Sequence, residues 1–305
     1  LPDVLADPSA GAPSYVSCHT SSTHCQTFPA MTAGGTPAQL VDRVKDGVDD
    51  LILTVPGYTP GRFPMMEVFE LPFMTRDAES ASKAAWAYLQ KNALSEFPKT
   101  KVLAMWVHDE GQIHTSNKHI KSLADFKGLK LRAPSRLTTK LLLSLGASPV
   151  AMPITSVQDA ISKGTVDGAM VPWDAATSFK LHDVAKFHTE TPAGAPALYT
   201  VTLMFAMNQE RYDKLPADLK AIIDKHSGAK LSAFMGKVWD DSAAPARKLA
   251  EANGGKFYTL PAAEVTRWQA ASDQVYTDWM IDMHKRGLDG RGLLNDAKKL
   301  IANSK

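Results

Sequence analysis

Three features of the sequence predict an α/β fold in two lobes. The chain has 305 residues, more than one compact core usually needs. Amphipathic helical patterns alternate with short apolar runs bounded by Pro and Gly, the signature of helices alternating with buried strands. One pattern also occurs twice. TPAQLVDRVKDGVDDLILTVP (36–56) and TSVQDAISKGTVDGAMVP (155–172) both run Thr-x-x-Gln, amphipathic helix, Gly, Val-Asp, strand, Pro, then a loop carrying an aromatic. Any αβ unit shares part of that outline. The recurrence of the whole order points to two lobes of like build, each sending a strand end toward a shared cleft.

Composition narrows the function classes. Net charge is +2, with no run of five like charges, which argues against a nucleic acid or an anionic membrane as partner. No apolar stretch approaches the roughly 18 residues of a membrane span. The opening LPDVLADPSA has neither a charged n-region nor an apolar h-region, so a signal peptide is expected to be absent or already removed. Two cysteines, Cys18 and Cys25, lie close together. That fits an oxidising compartment with one optional disulfide, and nearly as well a reducing one with free thiols.

The elements follow in order. Tyr15–Thr20 and Cys25–Phe28 read as strands around CHTSSTHC (18–25). Cys and His adjacent at each end match no standard zinc spacing, so a disulfide or uncoordinated side chains are expected there rather than a metal. Thr36 and Gln39 form a capping box with Pro37 at the first helical position, and Gly47 ends that helix. Val48–Val55 is a buried strand that stops at Pro56–Gly57–Tyr58. Ala78–Leu94 is a helix, Lys101–His108 a strand, and Gln112–Ser116 leads to the short strand Leu129–Ala133, stopped by Pro134. A helix, the apolar run Pro149–Pro153, a second helix and a strand ending at Val171–Pro172–Trp173 come next. Phe179–Phe187 reads as helix, Thr191–Pro196 as turn or hinge, and Tyr199–Met207 as a long buried strand. Pro216–Asn253 is helical with breaks at Ser227–Gly228 and Pro245. Gly254–Leu260 is a short strand. Ala262–Met283 is a helix whose stripe Val265, Trp268, Val275, Trp279 reads as core, and Leu293–Ala302 closes the chain.

Motifs for catalysis are missing: no GxSxG, GxxxxGK[ST], HExxH, or GxGxxG after a strand occurs. His108, Asp109, Glu110 and His114 flank one loop and form the strongest acid/base candidate, yet no nucleophile or phosphate cradle accompanies them. Arg132 is different. It stands near the end of one strand, and Trp173 at the end of the next. Ligands in open α/β sheets bind beyond the carboxyl ends of strands. An arginine fork fits a carboxylate through two parallel hydrogen bonds. A surface arginine on an edge strand would look alike; Pro134, Ser135 and the two-lobed pattern favour a clamp.

The residues that carry this clamp also carry a resemblance. DFKGLKLRAPS (125–135), LGASPVAMPITSVQDAISKGTVDG (145–168) and LKAIIDKHS (219–227) resemble the periplasmic solute-binding subunits of TRAP (tripartite ATP-independent periplasmic) transporters, the DctP type. GYTPGRFP (57–64), EVFELPFM (67–74), MVPW (170–173) and LHDVAKFHTE (181–190) look like one branch of them. The resemblance spans about residues 35–300. It implies a periplasmic binding protein fold, class II-like, with crossing hinge strands and a long connecting helix. Lobe I would be 1–110 plus 198–238 and lobe II 111–197 plus 239–305, with the ligand cleft between them. It further implies a periplasmic location, no catalysis, no cofactor or metal, one small carboxylate ligand, and membrane permease subunits as partner.

Arg132 falls on the arginine that grips the carboxylate in that family. Gln112 stands where sialic-acid-type members place a second arginine, and Val171 where they place an asparagine. Losing both and gaining Trp173 favours a compact or aromatic monocarboxylate over a sugar acid or a dicarboxylate. Tyr58, Trp173 and Ile154 would supply an apolar wall, with Ser135 and Tyr199 completing the expected site. Receptors of ATP-driven importers, and less so an enzyme built on His108, Asp109 and His114, are the competing readings. The N-terminal stretch departs from the family, since about 20 residues between Tyr15 and Thr36 are too few for strand, helix and strand.

Overall fold

The computed structural model describes residues 17–21, 24–28, 31–32 and 34–304. The chain begins with a hairpin, β1 (Ser17–Ser21) and β2 (His24–Phe28), then helix α1 (Leu40–Lys45) and strand β3 (Leu51–Thr54). Helix α2 (Ala78–Tyr88), extended by a wider turn over Leu89–Ala93, leads to β4 (Thr100–Val107). Residues 108–110 cross to a second sheet, built from β5 (Gly111–Thr115), β6 (Lys130–Ala133), α3 (Arg136–Ser144), β7 (Ser148–Ala151), α4 (Val157–Ser162), β8 (Gly168–Pro172), α5 (Trp173–Ser178), α6 (Leu181–Val184) and β9 (Phe187–Glu190). Residues 191–201 cross back to β10 (Thr202–Asn208), followed by α7 (Gln209–Asp213) and α8 (Ala217–Lys225). Helix α9 (Ala229–Ala252) then carries the chain over a third time to β11 (Lys256–Thr259), and α10 (Ala262–Lys285) and α11 (Gly290–Asn303) complete it.

The first sheet has the order β2-β1-β3-β10-β4 and the second β11-β9-β5-β8-β6-β7. In the first, β10 lies antiparallel between β3 and β4, so a strand from late in the chain closes a sheet begun near its start. In the second, β6 is parallel to both β7 and β8, and β5 is antiparallel to β8 and β9. The expected two-sheet α/β architecture is therefore observed.

Some expectations are corrected. The helix expected over 179–187 is a single turn, α6, followed by the strand β9. Lys180 adopts a left-handed conformation that ends the preceding helix. The strand had no apolar signature because its buried residues are His188, Thr189 and Glu190. Pro245 does not interrupt α9, which runs through it. The hairpin expected near the N-terminus is present, with Cys18 opposite Thr27 and Cys25 opposite Thr20. The start of its first strand at Tyr15, and the metal or disulfide question at CHTSSTHC, lie outside the described residues. The tryptophan stripe of α10 is core, with Trp268 and Trp279 fully buried.

Helix α9 is docked by backbone-level contacts. The Asp240 carboxylate accepts the Ala78 and Glu79 N–H groups at 2.8 and 2.9 Å, satisfying donors at the start of α2 that have no partner within the helix. Ser232 on α9 and Ser82 on α2 accept the Met105 and Val107 N–H groups of edge strand β4, which blunts that edge. Gly236 permits this approach: a Cβ there would lie 2.4 Å from the Ala78 carbonyl oxygen and 2.5 Å from Ser82 Oγ. Gly236→Ala must push α9 away from α2 and is expected to cost about 1–3 kcal/mol, read as a lower denaturation midpoint. An unchanged midpoint would show that the two helices are not held this close.

Candidate functional site

All three crossings converge on one cavity between the sheets, enclosing about 530 Å³ of space that is partly open to solvent. Its walls come from both sheets. Leu53, Val55 and Tyr58 extend from β3, and Leu203 from β10. Arg132 and Pro134 come from β6, Val171 and Pro172 from β8, with Ile154, Ala175 and Phe179 beside them. The crossings supply His108, Tyr199 with Val201, and Trp239 on α9.

Alternation along β6 explains the placing of Arg132. Strand β6 is central, paired on both sides, and its register sets Arg132 beside Val150 and Ala169. The side chain is 2% exposed. Its Nε donates to the Met152 carbonyl and Nη1 to the Met170 carbonyl, both at 2.9 Å, and Nη2 reaches the Tyr58 hydroxyl at 3.4 Å. One carbonyl lies just past the end of β7 and the other within β8, so the fork is fixed by backbone. No carboxylate among the described residues pairs with it.

Tyr58 Oη also accepts the Ile154 N–H at 3.3 Å, which joins the two sides of the cleft. Tyr199 is 1% exposed, lines the cavity, and has a hydroxyl without a hydrogen-bond partner. Burial pushes that phenol well above its usual pKa, so it is a donor and not a phenolate, with the Arg132 charge opposing only part of the shift. Its ring lies over Gly111, where a Cβ would come within 2.1 Å of the ring, and its carbonyl accepts the Gly111 N–H at 3.2 Å. The two strand crossings are thus tied together beneath the cavity.

His108 strengthens that tie. Its Nε2 accepts the Val201 N–H at 3.0 Å, so Nδ1 carries the proton and donates to the Asp109 carbonyl. Burial holds its pKa down to about 4, and the Arg132 charge pushes in the same direction. His108 is therefore a neutral wall with both nitrogens engaged. His114 points elsewhere: Nε2 donates to the Val171 carbonyl, and Nδ1 meets His188 Nδ1 at 2.8 Å. Burial raises the Asp109 carboxyl well above its usual range, with Asp174 adding to the shift, and raises Glu110 to about 7. These groups do not assemble around a shared substrate position, and only His108 among them faces the cavity.

Four of the seven expected site residues, Arg132, Tyr58, Ile154 and Tyr199, meet in the cavity, while three do not. Trp173 is the clearest correction. Its indole packs on His114, His188 and Phe257 and donates to Glu190 Oε1 at 3.0 Å. The cause is helical geometry. Trp173 opens α5, and two residues on at about 100° per residue Ala175 faces the opposite way. Ala175 and Phe179, four apart, share the cavity side. Gln112 accepts the Thr191 N–H at 3.3 Å and braces the second crossing. Ser135 caps α3, exchanging hydrogen bonds with Thr138. Trp239, Phe179 and His108 were not expected as walls. The isolated large aromatic on the crossing helix was the available signal for Trp239.

Known proteins resemble this chain over most of its length. A TRAP solute-binding protein from Rhodoferax ferrireducens T118, in complex with copurified benzoate, is 49% identical, with a TM-score of 0.90 over 91% of this chain and 86% of that one. A marine metagenome TRAP solute-binding protein specific for aromatic acid ligands, in complex with 3-hydroxybenzoate, is 45% identical, with a TM-score of 0.89 over 91% of this chain and 87% of that one. The C4-dicarboxylate-binding periplasmic protein DctP of Rhodobacter capsulatus is 25% identical over 70% of this chain and 63% of its own length. Residues 21–282 match the family model of bacterial extracellular solute-binding proteins, family 7. The family model covers most of the chain and the similar structures share its fold: the chain is a member of the DctP-type solute-binding proteins of TRAP transporters.

Proposed function

We propose that this protein is an extracytoplasmic receptor that captures one aromatic or other compact monocarboxylate and hands it to a TRAP-type membrane permease. The observation that carries this reading is the buried Arg132 fork. It is the only charged side chain among those lining the cavity, is fixed by two backbone carbonyls, and has no carboxylate partner among the described residues. A ligand carboxylate beside Nη2 would also take the Tyr199 O–H, so charge and hydrogen bonds converge at one end. The other walls, Leu53, Val55, Phe179, Leu203 and Trp239, suit an aromatic ring. His108, neutral and fully engaged, offers a distal substituent no hydrogen bond.

This pattern favours one negative charge over two. A second carboxylate would be buried against apolar walls with no opposing cation, at a cost of several kcal/mol. The relatives crystallised with benzoate and 3-hydroxybenzoate each hold an acid with one carboxylate. We assign the lobes as 1–110 plus 198–238 and 111–197 plus 239–305. They would close by rotation about the paired crossings at His108–Gly111 and Tyr199–Val201. Delivery to permease subunits in a periplasmic setting follows the family.

A thermal-shift panel tests the ligand class. Benzoate, 3-hydroxybenzoate, phenylacetate or mandelate should raise the melting temperature, while succinate and malate leave it unchanged. Stabilisation by the dicarboxylates alone would overturn the assignment. In calorimetric titrations with the best acid of that panel, Arg132→Ala should weaken binding by about 2–5 kcal/mol. Tyr199→Phe, which removes only the hydroxyl, should cost about 1–2 kcal/mol. Equal affinity in wild type and Arg132→Ala would remove the arginine from the site.

A further inference from the structure

A second constellation lies just behind the ligand cavity, where the turn Met66–Glu70 meets the start of α3. Glu70 is 1% exposed. Its carboxyl is held from both sheets: the Thr202 backbone N–H of β10 donates from the first, and the Ser135 hydroxyl, three residues beyond Arg132, donates from the side of the second. Oε2 has no hydrogen-bond partner. Packing around the carboxyl is tight, since a Cβ on Gly57 would stand 3.0 Å from both Glu70 Oε1 and Ser135 Cβ.

The charged surroundings do not compensate Glu70. The cation at hand is Arg136 of α3, and its guanidinium is already committed. It pairs through Nε and Nη2 with both carboxylate oxygens of Glu67, and through Nη1 with Asp282 of α10. Glu67, on the same turn as Glu70, is negative and nearby. Glu96 adds a further carboxyl on the far side of Glu67, but it accepts the Met65 and Met66 N–H groups of its own neighbourhood. An ionised Glu70 would therefore be a buried anion beside the Glu67 carboxylate, with two donors and no uncommitted cation among the described residues around it.

We propose that Glu70 takes up a proton as the cleft closes, so that ligand capture is linked to the uptake of one proton. The inference rests on the lobe closure described under the proposed function. In this proposal, opening the cleft would draw Ser135 away from Glu70 and admit water, returning the carboxyl to an ordinary exposed environment where it would ionise. Closing removes that water and restores the apolar seal of Gly57, Phe63 and Met66. Burial first, and the Glu67 charge in addition, raise the closed-state pKa to about 8, against donation from Ser135 and Thr202 and the attraction of Arg136.

The sign follows directly. A group ionised in the open form near pH 4.5 and protonated in the closed form until about pH 8 binds a proton on closure between those limits. Affinity is then greatest at the acid end of that window and falls as pH rises through it, by up to about tenfold per pH unit.

Titration calorimetry of wild type with benzoate and the other acids of the panel, near pH 6.5 in buffers of different ionisation enthalpy, counts the protons. Wild type should take up close to one proton per ligand bound. Glu70→Gln, which imitates the protonated carboxyl, should take up close to one fewer and lose most of the decline in affinity between about pH 6 and 8. Should Glu70→Gln not fold, Glu70→Met, uncharged and of similar length, serves the same comparison. Ligand binding without proton uptake in wild type overturns the inference and leaves the receptor reading standing. So does an equal proton count in wild type and variant, which would point instead to Glu110 at the hinge. Absence of binding heat with every acid overturns both.

Discussion

A buried guanidinium without an acidic partner among the described residues is the constraint around which the molecule is arranged. Placing Arg132 in the interior costs several kcal/mol unless its donors are satisfied. The fold meets that cost partly, through the Met152 and Met170 carbonyls at 2.9 Å, and leaves the remaining edge toward Tyr58 and the cavity. If it binds an anion as proposed, a charge held this way would be selective, because it cannot swing out to meet a poorly shaped one. The central position of β6, hydrogen-bonded to β7 and β8, makes both carbonyls available at the correct height.

The same economy of placement governs the hinge. Three chain crossings join the sheets, and each sends a side chain into the cavity: His108, Tyr199 and Trp239. The first two crossings are stitched by Val201 N–H to His108 and Gly111 N–H to Tyr199. In the proposed receptor a ligand in this cavity would rest on the crossings, and a contact at Tyr199 would act where the lobes are proposed to turn. Helix α9 is docked on the first sheet and its helix α2 through Asp240, Ser232 and Gly236.

What could be read from the sequence divides along physical lines. Features fixed by local pattern were legible: the Pro-bounded strand ends, the capping box at Thr36, and the buried stripe of α10. The expected residues Tyr58, Ile154 and Tyr199 line the cavity. Features fixed by rotation or by distant packing were not legible. Trp173 turns away because α5 begins at that residue, a shift of one or two positions that apolar patterning does not resolve. Strand β9 is hidden by its polar sequence, whose His188 Nδ1 and Glu190 carboxylate find His114, Trp173 and Arg247 on other elements. Trp239 becomes a cavity wall only because α9 crosses between sheets.

The most direct test of the account is the crystal structure of the protein grown with benzoate. The predicted result is a carboxylate within hydrogen-bonding distance of Arg132 Nη2 and Tyr199 Oη, with the ring among Phe179, Leu203 and Trp239 and no contact to Trp173. A carboxylate bound elsewhere, with Arg132 left to its two backbone carbonyls, would contradict it.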